Sequence, residues 1–381
     1  MDSKDYEVVI VGAGIAGASL AYRLAGRCRV LLLEREPQPG YHSTGRSAAM
    51  FMETYGTDQI QALTRASKTF YEHPPEGFCD APLMHPRGCL YIATSEQADL
   101  LDEALKAASA RADNVRRLTP QEACDLVPVL RPEAAASGAM FEGDARDLDV
   151  HGLHQGFLAA ARRGGVQLQC NAAVSRASHA DGAWTLTLAN GDTIRTGLLV
   201  NAAGAWADEL AALCGVRPIG LQPCRRSAFT FAAPQGAEIG SWPAVVGIDE
   251  SFYFKPDAGQ LLGSPANADP VAPHDVVAEE LDVAIGIHHI ETATTMSIRR
   301  PAHVWAGLRS FVPDGDMVIG PDDAQPGFFW LAAQGGYGIQ SAAGASALAG
   351  ALVLDEALPD ELVREGVDPA LLSPARLRTS A

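Results

Sequence analysis

The first part of the chain carries the pattern of a β-α-β unit built around three glycines. Residues 7–11 form an apolar, β-branched run typical of a buried parallel strand, and residues 12–17 follow with the spacing G-x-G-x-x-G. We expect a helix over residues 15–24 and a second buried strand over 30–33, which ends at Glu34. Glycines at this spacing permit a tight turn, close approach of a pyrophosphate and close packing of helix on strand. Because the terminal acid can accept the hydroxyls of a ribose, the segment predicts a site for an ADP-containing cofactor.

The loop after Glu34 bears on which cofactor binds there. A nicotinamide-dependent dehydrogenase normally continues here with another helix and strand, whereas residues 35–49 form a polar loop punctuated by glycine. A flavin needs further donors for its ribityl and pyrophosphate groups. A solvated loop with an N-capping hydroxyl is the alternative interpretation. Donors suited to a flavin are present at Ser43, Thr44, Arg46 and Ser47.

Two later segments favour a flavin. Residues 198–208 read as a strand, a turn of small residues and the start of a helix. Residues 327–340 read as another strand with a glycine-rich turn before a helix of small residues. The N-terminus of that last helix would offer backbone amides to the electron-rich edge of a flavin ring.

Together these motifs resemble the D-amino-acid-oxidase-like FAD oxidoreductases, a family that includes sarcosine and glycine oxidases. The similarity is greatest to the bacterial D-arginine dehydrogenase subgroup. It implies an α/β fold, α+β overall, with a Rossmann-like FAD-binding domain and a discontinuous, sheet-rich substrate-binding domain. It also implies hydride transfer from a substrate α-carbon to flavin N5. The motifs that carry the resemblance cover nearly the whole chain and lie at residues 12–17, 40–47, 200–206, 249–253, 307–311 and 335–340.

The resemblance also implies which residues hold the FAD. Binding is expected to be non-covalent, because the C-terminal glycine-rich turn contains no cysteine. His42 is a candidate attachment point or acid–base residue, but we interpret it as a loop residue near the phosphates. The predicted cofactor residues are Gly12, Gly14, Ile15, Ala16, Gly17, Glu34, Arg35, Ser43, Thr44, Arg46, Ser47, Ala48, Val174, Ala203, Gly204, Trp206, Gly307, Gly335, Gly336, Tyr337, Gly338, Ile339 and Gln340.

Length and charge limit the classes of partner. A chain of 381 residues is long enough for two domains, and its net charge of −17 argues against nucleic acid and anionic membranes as partners. No apolar run approaches the ~20 residues of a membrane span, so we expect no transmembrane segment. The N-terminus lacks a signal-peptide pattern, and seven cysteines without a C-x-x-C pair indicate a reduced, cytoplasmic protein. His288 and His289 have no third ligand at a suitable spacing, so no metal is expected.

The predicted domains are discontinuous. Residues 1–82, 140–220 and 305–381 are assigned to the FAD-binding domain, and residues 83–139 and 221–304 to the substrate-binding domain. We expect the tail beyond Pro359 to be loosely ordered. The other predicted elements are helices over 96–112, 117–127, 149–163 and 279–294, a hairpin turning at Asn190 and Gly191, and strands over 228–231, 244–248, 252–255 and 260–263.

Arginines are the candidates for holding a substrate. An amino acid must present its Cα–H to the flavin in one orientation, and a guanidinium can grip the carboxylate through two hydrogen bonds. Five arginines stand in suitable segments: Arg225, Arg226, Arg299, Arg300 and Arg309. The resemblance aligns Arg226 and Arg309 with carboxylate-binding arginines and Tyr253 with a phenol that bonds the same carboxylate. An alternative for Tyr253 is that it is a half-buried aromatic residue of a strand with no role in binding. The resemblance also aligns Tyr55 with an active-site tyrosine.

The expected reaction is oxidative deamination. The substrate reacts as the neutral amine, received by backbone carbonyls near Gly336 and by the Gln340 side chain. Its proton is lost to water or to a neighbouring tyrosine, and the imine product is hydrolysed to a 2-oxo acid and ammonia. The electron acceptor is expected to be a quinone or another carrier, with O2 as an alternative.

Three positions predict the side chain of the substrate. Arginine-specific members of the subgroup have a histidine, a threonine and a glutamate where this chain has Met50, Met52 and Cys89. The missing glutamate would leave a distal cation unpartnered, so uncharged, medium or large D-amino acids are the predicted substrates. If the Glu53 side chain turned inward, its carboxylate could replace the missing glutamate, and basic D-amino acids would again be substrates.

Other functions remain open on the sequence alone. Oxidation of a 2-hydroxy acid or an N-methyl amino acid would use the same arginines. A non-catalytic FAD-binding subunit is a further alternative, against which the presence of both Arg226 and Arg309 argues.

Overall fold

The computed structural model describes residues 4–378 and has the mixed α/β fold that was predicted. The strands, in chain order, are β1 Lys4–Val11, β2 Val30–Leu33, β3 Met50–Phe51, β4 Met84–Pro86, β5 Cys89–Ala93, β6 Val115–Leu118, β7 Gly138–Glu142, β8 Arg146–Leu148, β9 Gln167–Gln169, β10 Val174–Ala180, β11 Ala183–Leu188, β12 Thr193–Asn201, β13 Gln222–Phe231, β14 Ala244–Gly247, β15 Tyr253–Asp257, β16 Gln260–Ser264, β17 Asp269–Pro270, β18 His303–Phe311, β19 Val318–Pro321 and β20 Phe328–Ala332. The helices are α1 Ile15–Leu24, α2 Asp58–Glu72, α3 Ala98–Ser109, α4 Pro120–Leu126, α5 Val150–Arg163, α6 Ala207–Leu213, α7 Glu280–Ala293, α8 Ala342–Leu354, α9 Asp360–Arg364 and α10 Pro369–Leu372.

The first sheet has a parallel centre in the order β12-β1-β2-β9. All four residues of β2 are buried, as expected for a parallel strand covered on both faces. Helices α1, α5 and α8 supply one apolar layer against this sheet. Strand β20 extends the sheet by pairing in parallel with β12, while β10 and β11 form an antiparallel arm beside it. The parallel strands therefore end at a common edge, next to the turn that precedes α1.

Two glycines fix that turn. A Cβ at Gly17 would lie 1.9 Å from the carbonyl oxygen of Gly12, so a side chain there would separate α1 from the turn. Gly12 has a φ of +107°, and a Cβ on it would lie 2.3 Å from the carbonyl oxygen of Ala202. The observed bounds of α1 and β2 agree with the predicted helix and strand, because both elements follow from local sequence pattern.

The second sheet is large and mostly antiparallel. Its nine strands include the order β17-β13-β16-β15-β14-β5-β7-β6, with β18 paired to β13. In the β13–β18 register Arg226 lies opposite Gly307 and Cys224 opposite Arg309. Residues two positions apart on a strand point to the same face, so Arg226 and Arg309 are diagonal neighbours on one face.

A third, small sheet in the order β3-β8-β4 lies beside the others. Met50 on β3 pairs with Asp147 on β8, which places the segment that follows β3 next to the second sheet. The division of the chain into two discontinuous domains remains a prediction. Strand β18 spans the boundary that was predicted at residue 305.

The predicted disorder of the tail is wrong for the part that the structure describes. Beyond Pro359 the chain forms α9 and α10, and Leu362, Val367 and Leu372 are buried in the main core. Residues 379–381 lie outside the described residues. These three apolar residues stand five positions apart, a spacing typical of neither a helix nor a strand, so their packing against distant helices and strands was not predicted.

Most other predicted elements are present. Helix α5 begins at Val150, where the carboxylate of Asp149 accepts the N–H of Gly152. The helix predicted from residue 117 begins instead at Pro120, because residues 115–118 pair as β6 and Thr119 forms a capping box with Glu122. The hairpin between β11 and β12 is confirmed.

Candidate active site

A continuous trough crosses the molecule from the end of β2 to the face shared by β13 and β18. It passes the start of α1, the loop after β2, and the turn between β20 and α8. The predicted cofactor residues that line it are Gly12, Gly14, Ile15, Ala16, Glu34, Arg35, Ser43, Thr44, Arg46, Ser47, Ala48, Val174, Ala203, Gly204, Trp206, Gly307, Gly335, Gly336, Gly338, Ile339 and Gln340.

Two predicted cofactor residues do not line the trough. Gly17 lies behind it and packs against Gly12. The ring of Tyr337 packs edge-on against the ring of Tyr55, with centroids 4.9 Å apart. Gly17 and Tyr337 therefore support residues that line the trough, Gly12 and Tyr55, and do not line it themselves.

The outer end of the trough is built around Glu34. Its carboxylate accepts the N–H of Ala13 and the N–H of Glu36, both at 3.0 Å. Each carboxylate oxygen keeps a further lone pair, so ribose hydroxyls could still be accepted. Arg35 stacks on the ring of Trp206, with the guanidinium carbon 3.8 Å from the ring centroid. His42 also lines this end, and its Nε2 lies 2.9 Å from a carboxylate oxygen of Glu36.

The start of α1 is suited to a phosphate. Its N-cap is Gly14, no acidic residue lies in its first turn, and the Ile15 N–H is bonded to Thr44 Oγ1 at 3.0 Å. Helix N-termini favour anions because their first N–H groups lack partners within the helix. A trough with a fixed acid at one end and an open glycine turn beside a helix start fits the pyrophosphate and ribose of FAD.

His154, which supports this turn from behind, was not predicted, because no sequence pattern links it to the turn. His154 lies on α5, is 4% exposed, and its Nε2 is 2.9 Å from the carbonyl oxygen of Ala13. Because that oxygen only accepts, Nε2 carries the proton. Burial lowers the pKa of His154, so the ring is held neutral.

The loop donors predicted for the flavin are largely engaged within the protein. Ser43 donates to the carbonyl oxygen of Leu308 at 2.7 Å. The guanidinium of Arg46 donates to the carbonyl oxygens of Val276 and Ala306 and pairs with Asp275. These side chains therefore tie the loop to β18 and to the segment before α7.

At the inner end of the trough Arg226 and Arg309 lie side by side, half-buried. Arg226 donates from Nε to the carbonyl oxygen of Asn267, and Arg309 donates from Nη1 to the Tyr55 hydroxyl at 3.1 Å. Neither guanidinium has a carboxylate partner within residues 4–378. Burial and the positive charge of Arg309 lower the pKa of Arg226. Two adjacent cations, neither of them ion-paired, favour an anion at this place, although the carboxylate of Glu250 also acts on Arg226.

The other candidate arginines are placed elsewhere. Arg225 points to the opposite face and forms ion pairs with Asp269, Glu279 and Asp282. Arg299 and Arg300 are exposed and lie outside the trough lining. The alternation of side chains along β13 thus separates Arg226 from its neighbour Arg225.

An inner cavity continues beyond the two arginines. Tyr55 and Tyr253 line it beside them, and its walls include Met50 and Met52, whose contact with a substrate stays a prediction. Cys89 is fully buried and is not among the cavity-lining residues; it belongs to the apolar cluster behind the wall. Tyr91, Ala244, Val246 and Ala266 also line the cavity.

The positions of two carboxylates, Glu53 and Glu250, bear on the charge of this cavity. Glu53 forms an ion pair with Lys68 at 2.6 Å and does not line the cavity, so its inward orientation is not observed. Glu250 does line it, is exposed, and has a left-handed φ of +55°. Sequence reasoning did not single out Glu250, although it lies within the 249–253 motif.

The Gln340 side chain is bound to the chain itself. It is 3% exposed, donates to Thr64 Oγ1 at 3.0 Å and to the Met52 carbonyl oxygen at 3.3 Å. Its oxygen accepts the N–H of Met52 at 3.4 Å and keeps a second lone pair, so the predicted contact with a substrate amine stays a prediction. Gly336 contacts Arg309 closely, because a Cβ there would lie 2.7 Å from Nη1.

No group of three metal-ligating side chains comes together between residues 4 and 378. In the same range, no helix has the length and apolar character needed to cross a bilayer.

Comparison with known proteins extends these findings. The profile of the DAO family, described as FAD dependent oxidoreductase, matches residues 7–352. Mitochondrial dimethylglycine dehydrogenase of Rattus norvegicus is 25% identical over 387 residues, which cover 95% of this chain and 44% of that protein. The chain therefore spans less than half the length of that relative.

Solved structures share the fold. Glycine oxidase from Geobacillus kaustophilus superposes with a TM-score of 0.84 at 22% identity, covering 98% of this chain and 99% of that one. L-proline dehydrogenase from P. horikoshii superposes with a TM-score of 0.83 at 19% identity, covering 99% of both chains. None of these three proteins is a D-arginine dehydrogenase, so that subgroup remains a prediction.

Proposed function

The chain belongs to the DAO family of FAD-dependent oxidoreductases, and on that premise we propose that it deaminates D-amino acids with uncharged side chains. The observation that carries the proposal is the pair of adjacent guanidinium groups, Arg226 and Arg309, at the mouth of an inner cavity. FAD is the cofactor, and when bound it supplies a hydride acceptor next to the substrate.

The arginine pair is suited to the carboxylate of an amino acid. Guanidinium groups bind carboxylates through paired N–H donors, which fixes orientation as well as position. Tyr55 already accepts a bond from Arg309, and Tyr253 lines the same space. A carboxylate held at this place would leave the α-carbon facing the trough and the side chain facing the inner cavity.

The positive pair also affects the amine. Two nearby cations disfavour an ammonium, so they support loss of a proton from the substrate nitrogen on binding. Water reaching the exposed mouth can take that proton. The substrate then loses hydride from Cα, and the resulting imine is hydrolysed to a 2-oxo acid and ammonia.

The cavity wall supports an uncharged side chain. Met50, Met52 and Val246 offer apolar contacts, and the methionine side chains can adapt their shape. The carboxylate of Glu53 forms an ion pair with Lys68 and does not face the cavity. Glu250 lies at the exposed edge, where water already solvates its carboxylate. Motifs shared with the D-arginine dehydrogenase subgroup support the D configuration, and a quinone or other carrier is the proposed electron acceptor.

N-methyl amino acids are the second candidate. They carry the same carboxylate and would use the same arginines, and the match to dimethylglycine dehydrogenase favours them. The test is anaerobic mixing of the FAD-loaded protein with D-leucine, D-phenylalanine, L-leucine, D-lactate, sarcosine and dimethylglycine, recording loss of visible flavin absorbance. We expect the two D-amino acids to bleach the flavin fastest. Bleaching by sarcosine or dimethylglycine alone would establish the second candidate instead.

A further inference from the structure

One buried acid lies outside the arginine pair and has no role in the proposed chemistry. Glu142, the last residue of β7, is 0% exposed. Within residues 4–378 it forms no ion pair with a lysine or arginine. Burial raises the pKa of its carboxyl group. A buried acid without a cation is costly, so the hydrogen bonds it makes need explanation.

Both hydrogen bonds of Glu142 go to one short segment. Oε1 accepts the backbone N–H of Glu53 at 2.7 Å, and Oε2 accepts the hydroxyl of Thr54 at 2.6 Å. Residues 52–57 connect β3 to α2 and have no regular secondary structure. Tyr55 follows Thr54 directly, and its hydroxyl accepts a bond from Arg309.

The other anchors of this segment hold its carbonyl groups and the N–H of Met52. The Gln61 amide donates to the carbonyl oxygens of Thr54 and Gly56. The Gln340 amide donates to the carbonyl oxygens of Met52 and Tyr55, and its oxygen accepts the Met52 N–H. Among residues 4–378, Glu142 is the one acceptor for the backbone N–H of Glu53 and the hydroxyl of Thr54, and it belongs to the second sheet, which also carries Arg226 and Arg309. The carboxylate therefore links the position of Tyr55 to the strands that carry the arginines.

We propose that Glu142 is a positioning residue that holds Tyr55 against Arg309 and so shapes the carboxylate site. The inference rests on the proposed function, because it concerns the same site. Loss of the Glu142 carboxylate releases the turn at residues 53–54. Tyr55 then leaves Arg309, and the guanidinium loses the acceptor that fixes its plane.

The test is a double-mutant cycle on ligand binding rather than on turnover. The probe is 4-methylpentanoate, which has the leucine skeleton without the amine, titrated into the FAD-loaded protein and followed by the flavin spectrum. We expect Y55F and E142Q each to raise the Kd by about tenfold, and the double variant to bind no worse than Y55F alone. Coupling of this kind distinguishes positioning through Tyr55 from a general loss of structure.

Two further variants keep the test decisive. T54V removes only the hydroxyl donor and should give a smaller loss that is also absent from the Y55F background. The matched control is D322N, which alters another buried acid, bonded to Trp330 and Arg378, and should leave binding unchanged. If E142Q misfolds, T54V carries the test in its place.

The outcomes separate this inference from the proposed function. If the wild type and Y55F differ as expected but neither E142Q nor T54V changes the Kd, Glu142 does not position Tyr55. Losses that multiply in the double variant would also overturn the inference. If the wild type fails to bind 4-methylpentanoate at all, the carboxylate site and the inference both fail.

Discussion

Arg226 on β13 and Arg309 on β18 are diagonal neighbours on one face of an antiparallel pair, two positions apart in the strand register. Burial lowers the pKa of Arg226, and repulsion by the like charge of Arg309 lowers it further. A bound carboxylate would relieve both effects. The fold thus holds two cations together at the place where an anionic substrate would be most stabilised.

Conservative replacement of either arginine should weaken carboxylate binding. A lysine keeps the charge but loses the paired donors, so R226K and R309K should each raise the KM for D-leucine by more than about tenfold. R299K, the same change at an exposed position outside the trough, is the control and should have no effect. Steady-state kinetics measure this. An unchanged KM in both R226K and R309K would contradict the proposed binding mode.

A methyl group at residue 336 should displace Arg309. The Cβ of G336A would lie 2.7 Å from Nη1, closer than atoms approach without movement. We expect 4-methylpentanoate binding to weaken by more than about tenfold, while FAD remains bound. G240A is the matched control, because no atom lies within 4 Å of its added Cβ. Equal binding by both variants would show that Arg309 does not hold the carboxylate.

The carboxylates near the cavity should differ in their effect on basic substrates. Glu53 is paired with Lys68 away from the cavity, so E53Q should leave the ratio of D-lysine to D-leucine turnover unchanged. E250Q removes the one carboxylate found in the cavity lining of the described residues, so residual D-lysine turnover should fall while D-leucine turnover is retained. A selective loss of D-lysine turnover in E53Q would instead mean that Glu53 turns inward.

Retention of FAD should depend on pH through His154. Burial, with a smaller effect of His151, lowers its pKa from 6.5, so the folded protein prefers the neutral ring. The stabilisation is complete above about pH 6.5 and is lost as the pH falls through the lower folded pKa. Acid should therefore release FAD, measured by the fluorescence of the free cofactor.

The His154 variant tests the assignment. H154Q keeps an N–H donor for the Ala13 carbonyl oxygen but cannot be protonated, so it should flatten the pH dependence of FAD release. H303Q, at an exposed histidine, should keep the wild-type profile. The same acid-dependent release in H154Q and the wild type would assign the titration to another group.

Local pattern was enough to predict the elements nearest the glycine turn. The bounds of α1 and β2 were predicted because apolar runs, glycines and the terminal acid act within about thirty residues of one another. The choice between Arg225 and Arg226 depends on strand pairing. It was made by resemblance, and the β13–β18 register places the two side chains on opposite faces.

Long-range contacts explain what the sequence did not predict. His154 meets Ala13 across 141 positions, and Glu142 meets Glu53 across 89. The periodicity of apolar residues cannot predict contacts between such distant positions. The prediction of a loosely ordered tail was wrong for the same reason, because Leu362 and Leu372 are buried by helices and strands from earlier parts of the chain.

The most direct test of the account compares D-leucine with 3-methylbutylamine, the same molecule without its carboxylate, in anaerobic rapid mixing with the FAD-loaded protein. If Arg226 and Arg309 orient the substrate through that carboxylate, D-leucine reduces the flavin with saturation and the amine does not. Equal reduction by the amine, or no reduction by D-leucine, would contradict it.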